Sequence, residues 1–122
     1  MSAERLILLR ELIAGRSSPS VVVERLAVFG WDCDEELVIM TRDDAVGLLS
    51  RFVSGEVNTA RMAEWANAIE GRDDVGFEPA ANLLLGELVF ELANPEITRE
   101  LAVDRAEWWI RRLDDTGSGG AV

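Results

Sequence analysis

Read for the spacing of its apolar positions, the chain breaks into five or six helical segments, and the most apolar of them sets the plan. Between Pro79 and Ala93, Leu83, Leu84, Leu85, Leu88, Val89, Phe90 and Leu92 point in nearly every direction around a 3.6-residue turn, and only Glu87 and Glu91 share a polar edge. A lone helix cannot bury most of its circumference. This segment is therefore expected to be the central helix of a bundle, with amphipathic neighbours packed around it.

Those neighbours can be traced in order. From Ala3 to Ala14, Leu6, Leu9 and Ile13 form a stripe flanked by Leu8 and Leu12, and Gly15 closes it. Ser18 before Pro19 is the pairing that opens helices, with Val22, Leu26 and Phe29 on one face, although the run Val21 to Val23 leaves a strand open. Trp31 to Glu36 is a polar connection. Leu37 to Met40 is too short for a period to decide between extended chain and a helical turn.

Thr41 with Asp44 three residues on forms a capping box, followed by Ala45, Leu48, Leu49 and Phe52 up to Gly55. Asn58 or Thr59 caps the next helix, where Met62, Trp65, Ala66 and Ile69 repeat the spacing until Gly71. Arg72 to Glu78 then connects into the central helix, which stops at Asn94 before Pro95. Ala106, Trp109, Ile110 and Leu113 mark a last helix that begins somewhere between Thr98 and Val103. The expected fold is all-α, a single helical domain over residues 1–115 with a flexible tail from Thr116 to Val122.

A chain of 122 residues buries roughly two thirds of its unfolded surface, enough for one core without disulfides. The lone cysteine, Cys33, and a charged start without a signal-peptide apolar run point to a reducing cytoplasm. No membrane span is expected, because the longest uncharged run, Pro79 to Gly86, is eight residues, against the roughly 20 a spanning helix needs.

Charge narrows the partner class. Twelve basic residues, all arginine, stand against 23 acidic ones, for a net charge of −11. Phosphate backbones would be repelled, and the arginines are scattered, so nucleic acid is not expected as a ligand. The same field would speed association with a basic protein.

With no histidine, tyrosine or lysine and one unactivated cysteine, the usual nucleophilic and general-base chemistries have no carriers. No catalytic residue and no cofactor is expected. Carboxylates remain. Asp32, Asp34, Glu35 and Glu36 lack the spacing of a calcium loop and read as solvated connection. Glu87 and Glu91, at i and i+4, repel one another unless something positive lies between, and an arginine from a neighbouring helix fits better than a metal. The stretch Glu64 to Glu78, EWANAIEGRDDVGFE, reads structurally as a core face, a glycine cap and an arginine holding a nearby carboxylate. It reads functionally as an acidic knuckle beside Phe77. Trp65 and Trp109 fall on buried stripes, while Trp108 and Trp31 fall off them and suit interface anchors.

From Phe29 to Pro95 the chain resembles a family of small uncharacterised bacterial proteins marked by FGWD, EWAN leading into EGRDD, and FELANPE. These match Phe29 to Asp32, Glu64 to Asn67, Glu70 to Asp74 and Phe90 to Glu96. In size, acidity and helical plan it is also similar to colicin-type immunity proteins. That likeness implies a non-enzymatic inhibitor presenting carboxylates to the positive site of a basic toxin or nuclease. The expected partner-binding residues are then Glu70, Asp73, Asp74 and Glu78, with Asp43 and Asp44 as a second acidic patch and Trp108 or Trp31 as an apolar anchor. Two alternatives remain. One is a metal-dependent hydrolase of a phosphorylated small molecule using Glu70, Asp73, Glu87 and Glu91, and the other is a homo-oligomeric scaffold.

Overall fold

A computed structural model describes residues 3–29 and 36–119, with nothing to be said of side chains from Thr116 onward. Six α-helices form the fold: α1 (Ala3–Ala14), α2 (Pro19–Leu26), α3 (Arg42–Val53), α4 (Thr59–Ile69), α5 (Asn82–Ala93) and α6 (Val103–Gly119). Short 3₁₀ turns at Ala27–Phe29 and Pro79–Ala81 follow α2 and precede α5. The all-α, single-domain bundle expected from the pattern is the architecture found. α6 runs to Gly119, past Thr116 where the tail was placed.

The helix ends follow from local chemistry. Thr41 and Asp44 exchange both hydrogen bonds of the capping box, Asp44 N to Thr41 Oγ1 at 3.2 Å and Thr41 N to Asp44 Oδ2 at 2.9 Å. Asn58 Oδ1 accepts from Arg61 N at 2.8 Å to start α4. α1 ends on Gly15 at φ +68°, a backbone conformation that favours glycine, and a Cβ there would press on the end of the Leu48 side chain. Arg51 donates to the Ala14 and Gly15 carbonyls, each at 2.9 Å, which satisfies orphan acceptors of α1 and ties α3 to it. The valine run of α2 is helical: Pro19 sets its first turn, and Val22 and Leu26 are buried.

Two three-residue strands, β1 (Val38–Met40) and β2 (Val75–Phe77), pair in parallel with Val38 opposite Val75 and Met40 opposite Phe77. α3 and α4 make the crossover between them. The extended option for Leu37 to Met40 is the one realised. The strand inside Arg72 to Glu78 was read only as connection, because three residues display no period.

One expectation is corrected here. α5 is not enclosed: Leu83 is 80 % exposed and Phe90 48 %. α5 packs chiefly on α4, β2 and the 3₁₀ turn before it, whereas α4 reaches α1, α2 and α5, and α3 packs on α6. The inner side of α5 does reach the core: Leu85 and Leu88 are fully buried, like Leu9 and Leu12 of α1 and Met62 and Trp65 of α4, and Trp65 Nε1 donates to the Ile13 carbonyl at 3.2 Å. α5 was read as central because near-uniform apolarity resembles full burial. In fact one side of it faces outward.

Candidate functional site

The acidic knuckle begins where α4 stops at Gly71, φ +83°. Immediately beyond it, Arg72 grips Asp74 with two parallel bonds, Nε to Oδ1 at 2.9 Å and Nη2 to Oδ2 at 3.0 Å. Arg5 from α1 adds a third at 2.9 Å. Asp74 is completely buried, and its backbone carbonyl accepts from Leu37 N and Val38 N at the entry to β1. Burial alone would raise its pKa, but hydrogen bonds from Arg72 and then Arg5 outweigh that and hold the carboxyl below its ordinary value. Asp74 thus joins α1, the end of α4 and the small sheet.

At the opposite end of the strands, Glu78 Oε1 accepts from Arg42 N at 2.8 Å and Arg42 Nη1 at 3.1 Å. There it complements the positive N-terminus of α3. Asp44 is occupied by its capping box. Asp43, Glu70 and Asp73 are exposed, and Glu70 Oε2 takes a bond from Asn94 Nδ2 at 3.3 Å beyond α5. The six candidate carboxylates therefore divide into two groups at the two ends of β2, with Asp74 and Glu78 four residues, about 13 Å of extended chain, apart. Four of them, Asp74, Glu78, Asp44 and Glu70, have internal partners.

Trp31 lies outside the described residues, as do Asp32, Cys33, Asp34 and Glu35. Trp108 is half-buried. The Arg105 guanidinium lies 3.9 Å from its ring centroid and that of Arg112 4.7 Å, while Trp109 meets it edge to face at 5.0 Å. This leaves less of its ring available to a partner than an exposed anchor would offer.

Glu91 is buried beneath α6. It accepts from Arg105 Nε at 3.0 Å, Arg105 Nη2 at 2.6 Å and Trp109 Nε1 at 2.8 Å. Burial pushes its pKa up, yet the Arg105 and then Trp109 hydrogen bonds carry it below the ordinary value. The expected arginine from a neighbouring helix is Arg105. Glu87 is exposed, so the i, i+4 pair is split between interior and solvent. Among the described residues no three His, Cys, Asp or Glu side chains are grouped to hold a metal, so the four proposed metal ligands are not brought together.

The surface that the pattern missed is the outward face of α5. Leu83, Gly86, Glu87 and Phe90, with Asn82 and Phe77 of β2, line a shallow groove of about 430 Å³. Its signal was present as a stripe at i, i+3, i+4 and i+7 containing both a glycine and a glutamate. An apolar pattern on its own assigns Leu83 and Phe90 to the core.

Compared with known proteins, the chain matches no family model, no curated protein and no solved structure. Of the segments that carry the family resemblance, FGWD lies outside the described residues after Phe29, and the others have structural roles here. Trp65 of EWAN is core, EGRDD contains the Arg72–Asp74 pair, and FELANPE places Glu91 inside while Asn94 Nδ2 closes α5 on the Phe90 carbonyl at 2.9 Å.

Proposed function

We propose that this protein is an acidic protein-binding module that engages a basic partner, in the manner of an immunity-type inhibitor of a basic toxin or nuclease. The observation that carries the reading is how the ion pairs among the described residues use charge. Arg5, Arg42, Arg51, Arg72 and Arg105 meet Asp74, Glu78, Glu56 and Glu91, with Asp74 holding two of them. These pairs take up five positive charges and four negative ones, in a chain that already carries −11. The remaining surface is more acidic still, and Asp43, Glu70 and Asp73 contribute exposed carboxylates to it. Such a surface accelerates encounter with a cationic protein and selects against anionic ones.

The test is capture from a lysate of the source organism at low and high salt, followed by assay of the captured protein's toxicity or nuclease activity with and without this chain. A basic protein held stoichiometrically at low salt, released at high salt and inhibited when bound supports the reading. Retention of nothing basic, or of a basic protein whose activity is unaffected, contradicts the inhibitor role.

A further inference from the structure

We infer that the groove between α5 and Phe77 is the docking site for a basic amphipathic helix of the partner protein, an inference that rests on the acidic-binder reading above. Leu83 and Phe90 stand two turns apart on α5, about 10 Å at 1.5 Å per residue, and both are exposed. Gly86 lies between them and forms the floor. A mid-helix glycine costs about 1 kcal/mol relative to alanine, and among the described residues no close approach requires it there. A Cβ at Gly86 would stand in ordinary contact, 3.9 Å from Phe77 Cε2. Its absence leaves a depression bounded by Leu83, Phe90 and Phe77, a seat for a large apolar side chain arriving from outside.

Charge and geometry identify what arrives. Glu87 is the charged side chain among the groove's lining residues, and Glu70 is bonded to Asn94, one turn beyond Phe90. The arginine near Phe77, Arg42, is engaged by Glu78. An apolar seat with a carboxylate at its edge, on a chain of net charge −11, suits apolar anchors flanked by lysine or arginine. The anchors come from a helix rather than a strand, because α5 has its backbone bonded internally and offers no edge for strand addition, whereas side chains at i, i+3 and i+4 match a two-turn groove. A second copy is a poor occupant. It brings another −11 and sets Glu87 against its own counterpart.

The experiment titrates the full chain with two synthetic helical peptides of equal positive charge, one built from leucine and lysine with an apolar face, the other with serine in place of leucine. The leucine–lysine peptide should bind the unaltered protein, and Leu83→Ser or Gly86→Met should weaken it by about tenfold without changing the helical circular dichroism. The serine–lysine peptide should bind more weakly and equally to all three proteins. If the leucine–lysine peptide binds both variants as well as the original, the groove is not the site, although the acidic-binder reading survives. If neither peptide binds at low salt, that reading falls and the groove with it. A concentration-dependent dimer in sedimentation equilibrium, abolished by Leu83→Ser, would assign the face to a second copy and overturn the proposal.

Discussion

The two sides of α5 each depart from helix amphipathicity in one respect. Its inner side buries a carboxylate, Glu91, while its outer side exposes Leu83 and Phe90. The inner arrangement is self-sufficient: two bonds from Arg105 and one from the Trp109 indole compensate for taking the charge out of water. The outer arrangement has no compensating partner within the described residues, and a glycine keeps it open. Polar residues inside a bundle thus report internal structure here, and apolar residues outside report an external requirement.

Acidification should break the inner side most severely, because it also acts on Asp74. Both carboxyls are held below their ordinary pKa values. Their contribution is therefore complete above the unfolded-state values and lost as pH falls through the folded-state ones. Urea unfolding should show a midpoint nearly flat from pH 7 to about 5 and falling steeply below about 4. Asp74→Asn with Glu91→Gln should flatten that fall.

Asp74→Ala comes next, with an expected loss of about 3–5 kcal/mol, because it leaves the buried Arg72 and the largely buried Arg5 without their shared carboxylate. Chemical denaturation reads this directly. Smaller and opposite in sign, Gly86→Ala should raise stability by about 0.5–1 kcal/mol, seen as an increase of a few degrees in Tm. If the outer face were built for internal packing instead, that substitution would destabilise.

Most helices could be read from the chain because their ends are marked by short-range chemistry: Thr41 with Asp44, Asn58, Ser18 before Pro19, and the glycines at 15, 55 and 71, all at positive φ. The small sheet could not. β1 and β2 are three residues each, and their parallel pairing depends on a crossover through two helices. The candidate site was legible in residue type and not in placement. Arg72 beside Asp74 could be guessed from adjacency, but Arg5 reaches Asp74 from 69 residues away. Glu87 and Glu91 shared a predicted edge, yet the rotation of about 40° between positions i and i+4 is enough to put one in solvent and the other under α6. Which side of an almost wholly apolar helix faces outward is decided by its neighbours, chiefly α4 and β2, and its own sequence holds little record of that.

One paired measurement tests the contrast most directly: denaturation midpoint and leucine–lysine peptide affinity, determined for both Glu91→Gln and Leu83→Ser. The inner variant should lose about 2 kcal/mol of stability, the worth of a charge-assisted hydrogen-bonded pair, and keep its affinity under folding conditions. The outer variant should stay within about 0.5 kcal/mol of the original stability and lose affinity by about tenfold. If Leu83→Ser lowers stability as Glu91→Gln does while leaving peptide binding unchanged, α5 has no outward role and the account is wrong.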